Sequence, residues 1–424
     1  MKAESDRSSF FVALVVVDVM VGLADAMSIP YFALFLVDQA RLAPLWLGAV
    51  LTTRAVGGIA FGTAFGAWVD RKTSVAPLLI ALGGSSVGYA LLAFTTNFAV
   101  LLLIVAFPVA IGAAAFSQSI ALVKRCFDHA SPQTANRAIG VLRASWSLAW
   151  AFGPAVGAAI VAPFGFRGLF LASGAAGAIA LATLALARAR PPAADDPEPG
   201  ARQKGSGGGA AVALAFAALA LFHTALFMGS VPLPIVITTS LGGTDADVGW
   251  TMSLCAALEI VVMGALIWRP LKHGERAAIA VGFAAFAAYF VALTLARSVA
   301  AVLWLQIVRA IGIGIVAYLG ISFVQSLLPH RPGVAAALFS NSAQLGSVLA
   351  AAGVGVLGQA FGYPSIFVVC AVLSVAGLVL TSLVRPEDQR RDSLFPSSGA
   401  KCAAGRDASG TGGYEHWRSE RRGR

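Results

Sequence analysis

The sequence predicts an all-α polytopic membrane protein, with twelve transmembrane helices in two six-helix bundles. Three observations support this fold class: the composition, the number of long apolar segments, and a polar stretch in the middle of the chain. Of the 424 residues, 58% are hydrophobic and 12% are charged, and the mean hydropathy is +0.81. A soluble protein carries about twice that charged fraction, so the composition excludes an ordinary soluble domain.

The apolar segments supply the helix count. A helix needs about 20 apolar residues to cross the hydrocarbon core of a bilayer, and twelve segments of the chain meet that length. The first segment is too long for a cleaved signal peptide. The segments are 10–35, 45–66, 76–96, 98–123, 138–162, 168–187, 210–237, 248–268, 277–296, 299–326, 333–359 and 364–384.

The basic residues of the loops predict the orientation. When the N-terminus is placed inside, fifteen Lys and Arg residues fall on the cytoplasmic side, and three (Arg41, Arg167 and Arg297) fall outside. This asymmetry follows the positive-inside rule. We therefore expect a multi-pass protein of the cell inner membrane with both termini in the cytoplasm. The net charge of +10 is then a topology signal and does not indicate binding to nucleic acid.

The polar stretch in the middle of the chain predicts a domain boundary. Residues 189–209 are rich in Pro, Gly and charge, which is typical of a flexible cytoplasmic linker. This linker would separate an N-terminal six-helix bundle (1–188) from a C-terminal one (210–385). The last residues, 386–424, are polar and rich in Gly and Ser, so a disordered cytoplasmic tail is expected.

Short echoes relate the two halves. FGFRGLFL at 164–171 recurs as FGYPSIFV at 361–368, and Ser28-Ile29-Pro30 is echoed by Ser230-Val231-Pro232. Two six-helix units joined by a cytoplasmic linker resemble the major facilitator superfamily. The resemblance implies a transporter that binds its substrate between the halves, near the bilayer midplane, and rocks one half against the other.

A loop motif adds to this resemblance. The family pattern is G-x-x-x-D-R-x-G-R-R. The loop after the second segment matches the first part of this pattern, and the equivalent loop of the second half, LKHGER, matches the last part. Two partial copies in equivalent loops favour a gating role over an ordinary basic loop. The matching positions are Gly66, Asp70 and Arg71 in the first half and Lys272, Gly274 and Arg276 in the second.

Six ionisable side chains besides His223 fall inside predicted helices. Each costs roughly 2.5–3.5 kcal/mol at the centre of a membrane helix, so we expect them to face the bundle interior or a water-filled cavity. Such placement indicates function, with structural pairing as the alternative. The six are Asp18, Asp25, Glu259, Arg54, Arg143 and Arg309.

The three acids differ in their surroundings. Asp25 and Arg54 lie on adjacent segments and are predicted to pair, whereas Asp18 is nearer the cytoplasmic end and is interpreted as structural. Glu259 is alone in a long apolar run and is expected to favour its protonated form. Glu259 is therefore the first candidate for proton coupling and Asp25 the second. A protonated Glu259 hydrogen-bonded between helices is the open alternative.

A stripe on the fifth segment joins a cation to two indoles. Successive residues of this stripe are three, four, four and three positions apart, which places them on one helix face. A face that carries a cation and indole rings suits a polyhydroxylated ligand. The tryptophans could instead pack the bundle or anchor the helix at the interface. Gly153, Pro154 and Gly157 permit a bend and close helix contact, and they resemble the antiporter motif of the superfamily in shortened form. The stripe consists of Arg143, Trp146, Trp150, Pro154 and Gly157.

Further polar side chains occur on the fourth, tenth and eleventh segments, which line the cavity in that superfamily. They are predicted to bind substrate, although any one amide could instead join two helices. His223 is interpreted as a hydrogen-bonded bundle residue. The residues predicted to bind substrate are Gln118, Gln306, Arg309, Asn341 and Gln344, and Ser340 is a polar neighbour on the eleventh segment.

The chain also resembles, more specifically, the bacterial sugar efflux transporters. The shared stretches are RASWSLAWAFGP at 143–154, LEI at 258–260 and LFSNS at 338–342, with Leu305-Gln306 and Leu328-Pro329. The resemblance implies export of sugars or glycosides in exchange for protons, by a monomer that lies in the lipid bilayer and needs no cofactor. The chain departs from the family pattern where substrate choice could be set, which leaves the particular sugar open. These departures are Asp25, Arg54, Trp146 and Arg309.

Two other classes of function are weighed against sugar export. A multidrug or antibiotic efflux antiporter would share the motif of the fifth segment. A membrane enzyme or receptor is a remote alternative, because the sequence has no nucleophile–base pair, His/Asp cluster or phosphate loop. No catalytic residue and no metal are expected, since the cysteines lack metal-ligand spacing. They are Cys126, Cys255, Cys370 and Cys402.

Overall fold

The computed structural model describes residues 2–71, 74–127, 132–187, 209–269, 274–328 and 331–384. These ranges are helical and contain no β-strand, which confirms the all-α class. All but one residue of the predicted linker and the whole predicted tail lie outside the described residues. The described residues up to Val384 form one compact unit.

The described residues form helices that we label α1 to α12. Ten stretches are long and apolar enough to cross a membrane, and Ala76–Leu92 is a shorter apolar helix. One of the ten contains two helices that meet at Gly165, which is consistent with the twelve predicted segments. The helices are α1 Lys2–Leu34, α2 Pro44–Arg71, α3 Ala76–Leu92, α4 Phe98–Cys126, α5 132–164, α6 166–186, α7 Ala210–Thr239, α8 Asp245–Trp268, α9 Glu275–Leu295, α10 Val299–Leu327, α11 Pro332–Phe361 and α12 Tyr363–Leu383.

Two glycines in the repeated FG motif turn the chain between helices. Gly165, between α5 and α6, has φ 61 and ψ −172, and Gly362, between α11 and α12, has φ 78 and ψ 162. A side chain is strained in this region of backbone conformation, which is essentially restricted to glycine. The echo between residues 164–171 and 361–368 is therefore a structural repeat, since both copies make the same abrupt turn.

Local polar groups define where two equivalent helices begin. The Asn97 side chain accepts hydrogen bonds from the Ala99 and Val100 amides at the start of α4. The Ser298 hydroxyl likewise accepts from the Ala301 amide at the start of α10. Each cap satisfies backbone donors that a helix leaves open at its first turn. The fourth helix of each half thus begins with a side-chain cap at a corresponding position.

Proline distorts the interiors of α4 and α7. A π-turn, Val105–Val109, interrupts α4 around Pro108, and α7 is assigned in two pieces, Ala210–Ser230 and Pro232–Thr239. Proline lacks the amide proton for the helical hydrogen bond, and its ring crowds the carbonyl four residues earlier. In the first half, the backbone at Pro108 packs closely against Gly84 and Gly88 of α3.

The two halves make close contacts on the side opposite the predicted linker. A Cβ on Gly48 of α2 would collide with Gly355 of α11, and one on Gly249 of α8 would collide with the Pro154 carbonyl of α5. Such contacts require residues without bulky side chains. Because each helix crosses once, both contacts lie on the side of the α1–α2 and α11–α12 connections. We call this pair of contacts the seal.

Candidate functional site

A cavity of about 780 Å³ lies between the two halves, on the linker side of the seal. This volume is in the range of small-molecule sites, which is about 300–1,000 Å³. Helices α1, α2, α4 and α5 of the first half and α7, α8, α10 and α11 of the second contribute to its wall. The polar, charged and indole side chains of the wall are Arg54, Thr63, Ser117, Trp150, Ser230, Glu259, Arg309, Gln344 and Ser347.

The cavity brings together part of the predicted site. Trp150, Arg309 and Gln344 from the predicted substrate residues line it, as does Glu259, the first candidate for proton coupling. Arg54, predicted to pair with Asp25, lines the opposite wall. The wall therefore combines one acid, two guanidinium groups and one indole, contributed by both halves.

The structure places the other predicted substrate residues elsewhere. Trp146 packs on Phe116, with ring centroids 4.4 Å apart, because this part of α5 faces α4 and α1 and not the cavity. Arg143 and Asn341 are exposed and do not line the cavity. The residues of the predicted stripe on α5 therefore have different surroundings, and Trp150 is the one of its two tryptophans that lines the cavity.

Two glutamines lie inside the bundles, behind the cavity wall. Gln118 is 2% exposed, and its Oε1 has no hydrogen-bond partner. Gln306 is fully buried, donates to the Val302 carbonyl and accepts from Arg309 at 3.3 Å. The structure therefore gives Gln306 a supporting position, one contact removed from the cavity.

The Glu259 carboxyl is held from its own helix. The Cys255 thiol, one turn earlier on α8, donates to Glu259 Oε1 with a sulfur–oxygen distance of 3.2 Å. Arg309 of α10 interacts with Glu259 electrostatically. Among the described residues no hydrogen bond or salt bridge joins Arg309 to Glu259. The two groups attract each other across a gap at the cavity wall.

Arg309 is occupied by other partners. Its Nη2 donates to the Ser230 hydroxyl at 2.8 Å, and its guanidinium carbon lies 5.8 Å from the ring centre of Tyr289. Its Nη1 is 3.7 Å from Met252 Sδ. A cation over an aromatic ring is stabilised by the charge distribution of the ring. These contacts fix the guanidinium in the second half while leaving it at the cavity.

The first half contains a second acid cluster. Tyr89 of α3 donates its hydroxyl hydrogen to Asp25 Oδ1 of α1 at 2.6 Å. Arg54 of α2 interacts electrostatically with both Asp25 and Tyr89. Asp25 itself does not line the cavity. The structure therefore brings Asp25 and Arg54 together as expected and adds Tyr89, which the sequence reasoning did not identify.

Asp18 and His223 lie within the bundles. Asp18 is 1% exposed, and its Oδ2 accepts from the Ser145 hydroxyl at 2.7 Å. Asp18 thus lies in the bundle interior and joins α1 to α5. The Nδ1 atom of His223 lies 2.8 Å from the Leu219 carbonyl and 3.2 Å from the Ser342 hydroxyl. This agrees with the interpretation of His223 as a hydrogen-bonded bundle residue.

The glycine–proline motif of α5 supplies the Pro154 carbonyl to the seal, whereas its two glycines pack within the first half. Gly153 packs against Ala26, and Gly157 packs against Met27 and Tyr31, all on α1. The motif therefore gives close helix contact, as its small residues suggest.

Two hydrogen bonds of the seal involve residues that the sequence reasoning missed. The Tyr31 hydroxyl donates to the Pro154 carbonyl at 2.9 Å and lies 3.1 Å from the Asp245 carbonyl of α8. The Ala155 amide donates to the Ser253 hydroxyl of α8 at 3.1 Å. The contacts from Tyr31 to Asp245 and from Ala155 to Ser253 join the first half to the second, whereas the bond from Tyr31 to Pro154 lies within the first half.

The loop motif is described in part. Lys72, Lys272 and the Asp70 side chain lie outside the described residues. Gly66 faces open space. Arg71 is the last residue of α2 and is exposed. Gly274 comes directly before α9 and has a φ of 93°. Arg276 donates a hydrogen bond to the Ser382 carbonyl of α12 at 2.5 Å.

The comparisons with known sequences agree with this architecture. The Major Facilitator Superfamily profile matches residues 14–228 and 214–423. A putative sugar efflux transporter of Deinococcus radiodurans is 33% identical over 87% of this chain and 96% of that protein. Sugar efflux transporter A of Escherichia coli (strain K12) is 30% identical over 88% of this chain and 96% of that protein.

Solved structures share the fold. A bacterial homologue of the human lysosomal transporter Spinster, in an inward-facing and unoccupied conformation, has a TM-score of 0.74 at 16% identity, covering 92% of this chain and 99% of that one. The nucleoside transporter NupG has a TM-score of 0.67 at 12% identity, covering 88% and 98%. The profile, the relatives and the fold lead to one assignment: the chain belongs to the major facilitator superfamily and, within it, to the bacterial sugar efflux transporters.

Proposed function

We propose that this protein exports sugars or glycosides across the cell inner membrane in exchange for protons, by alternating access and as a monomer. The observation that carries the proposal is the cavity between the halves, whose wall combines Glu259, two arginines and Trp150. The names of its relatives, sugar efflux transporters, support the substrate class. The proposal puts both termini in the cytoplasm, in line with the basic loops, so that the seal lies on the outer side.

The wall of the cavity suits a polyhydroxylated ligand. The indole of Trp150 offers a flat apolar face to the C–H surface of a sugar ring. Arg54 and Gln344 contribute hydrogen-bond donors for hydroxyl oxygens from opposite halves. A ligand that bridges the two halves can bias their relative movement, since it interacts differently with the open and closed arrangements.

Glu259 is the proposed site of proton exchange. It is the acid that both lines the cavity and lies in a membrane helix of the second half. A carboxyl group in an apolar wall favours the protonated form, and hydration or a nearby cation favours the ionised form. Sugar loading and proton loading at one cavity would exclude each other and so couple the two fluxes.

Alternating access requires the seal to open. In the proposed cycle, the bonds from Tyr31 to Asp245 and from Ala155 to Ser253 break as the outer side opens. The loop motif would then bring the halves together on the linker side. Its proposed gating residues are Gly66, Asp70, Arg71, Lys272, Gly274 and Arg276.

Transport by purified protein in proteoliposomes tests the function directly. With a pH gradient imposed so that protons enter as sugar leaves, labelled sugars from a broad panel should move against their own gradient. Collapse of the pH gradient with a protonophore should abolish the uphill movement. Absence of flux for every sugar, together with proton-driven flux of a lipophilic drug, would favour multidrug efflux and contradict the proposal.

Two tryptophans of one helix provide a matched pair of variants. Trp150 lines the cavity, whereas Trp146 packs on Phe116 outside it. Loss of the Trp150 indole should raise the KM for sugar by up to about tenfold, since aromatic packing contributes roughly 0.5–1.5 kcal/mol. Trp150→Ala should show this effect, and Trp146→Ala should leave KM near the wild-type value.

A further inference from the structure

Cys255 occupies an unusual position for a cysteine in a membrane helix. It lines the cavity, although its side chain is only 3% exposed. Its thiol points at the carboxyl group of Glu259, one helical turn later, and donates to Oε1 at 3.2 Å. Most buried cysteines serve as small apolar packing residues, but this one makes a polar contact with the proposed proton-exchange group.

The other charged and titratable groups around Glu259 come from neighbouring helices. Arg309 of α10 attracts the carboxylate, but its Nη2 donates to Ser230 of α7. The ring centre of Tyr289 of α9 lies 5.8 Å from the guanidinium carbon of Arg309. Arg54 of α2 lines the far wall of the same cavity. Among the described residues, the hydrogen bond that reaches the Glu259 carboxyl comes from Cys255.

We propose that Cys255 is a positioning residue for proton exchange at Glu259. The thiol hydrogen orients the ionised carboxylate toward the cavity, and the bond weakens when Glu259 takes up a proton, because a neutral carboxyl oxygen is a poorer acceptor. A thiol is a weak donor, so this bond orients the carboxylate without preventing its protonation. The inference rests on the proposed role of Glu259 in coupling.

The proposal predicts a shift in the pH profile of transport. The hydrogen bond stabilises the ionised form of Glu259, so its removal makes protonation easier and moves the midpoint of the profile to higher pH. For Cys255→Ala we expect a rise of about half to one pH unit, the size that corresponds to the net value of one hydrogen bond. Cys255→Ser keeps a donor at the same position and should restore the midpoint to the wild-type value or below.

Cys370 provides the matched control. It is a fully buried cysteine of α12 that does not line the cavity. Purified wild-type protein, Cys255→Ala, Cys255→Ser and Cys370→Ala are reconstituted at equal amounts, and proton-driven sugar export is measured across a pH series. Cys370→Ala should keep both the wild-type midpoint and the wild-type KM for sugar.

Two results would overturn the proposal. One is a Cys255→Ala midpoint equal to that of Cys370→Ala, which would show that the thiol does not act on the exchanging group. The other is a shift in Cys255→Ala that serine does not correct, which would report altered packing. The variant Glu259→Gln separates this failure from failure of the proposed function. If it still exports sugar uphill with an unchanged pH profile, the coupling role itself is wrong.

Discussion

Each half of the transporter places an acid near an arginine, but the two acids are held differently. Asp25 accepts a hydrogen bond of 2.6 Å from the Tyr89 hydroxyl and does not line the cavity. Glu259 lines the cavity and accepts from the Cys255 thiol at 3.2 Å. The first acid thus has a strong donor from another helix, whereas the second has a weak donor from its own helix.

This difference suggests a division of labour between the halves. A short hydrogen bond to a charged group, between helices, stabilises one arrangement of those helices. A weakly held carboxyl beside a cavity can change its protonation state and its partners as the cavity changes. We infer that the Asp25 cluster holds α1, α2 and α3 together, and that the Glu259 cluster exchanges protons.

The largest expected effect is the loss of uphill sugar export when the charge of Glu259 is removed. Glu259→Gln keeps the size and hydrogen bonding of the side chain but cannot ionise. It should bind sugar and retain exchange while losing uphill export. At one proton per sugar, a gradient of one pH unit sustains about a tenfold sugar gradient, and the variant should accumulate none. Proteoliposome flux at several pH values measures this.

Asp25→Asn is the partner experiment for this comparison. It should keep a pH-dependent uphill export for each correctly folded molecule, even where less protein is obtained. The reverse pattern, in which Glu259→Gln pumps normally and Asp25→Asn does not, would assign proton coupling to Asp25 and make Glu259 structural.

The next effect concerns stability in the first half. Asp25→Asn or Arg54→Gln alone leaves one charge inside the membrane region without its counterpart, at a cost of about 3 kcal/mol or more. The double variant should lose clearly less than the sum of the two single losses. Denaturant titration in detergent micelles, with a complete double-mutant cycle, gives the coupling energy. Strictly additive losses would show that the two groups do not act as a pair.

The sequence predicts the fold of this protein well because membrane helices have a strong local signal. Length and apolar content alone place the segments, and the FG echo marks Gly165 and Gly362, whose positive φ values end α5 and α11. Basic loops indicate an orientation. Helix periodicity, in contrast, does not show how a helix is rotated in its bundle. The spacing therefore predicts one stripe for Trp146 and Trp150, although only Trp150 reaches the cavity.

The site is less predictable, because its contacts join helices that are distant in sequence. Tyr89 contacts Asp25 across 64 positions, and Tyr31 contacts Asp245 across 214. One signal was available in the sequence, because Tyr89 and Tyr289 occur at corresponding places on the third helix of each half. In the structure, each of these tyrosines lies beside an arginine. Single polar residues inside apolar helices can be recognised in the sequence, but the residues that they contact are known only once the helices are packed together.

The smallest effect tests the hydrogen bond that distinguishes the two clusters. Tyr89→Phe removes only the hydroxyl that donates to Asp25. A hydrogen bond to a charged group contributes about 1.5–3 kcal/mol, so the variant should be destabilised by that amount while its pH profile of export stays unchanged. Tyr363→Phe is the matched control, since the Tyr363 hydroxyl is buried without a hydrogen-bond partner. Its removal should leave stability unchanged or raise it. Equal stabilities for the two variants, in the same micelle titration, would mean that Tyr89 does not hold Asp25. A shifted pH profile in Tyr89→Phe would instead mean that the first half takes part in proton exchange.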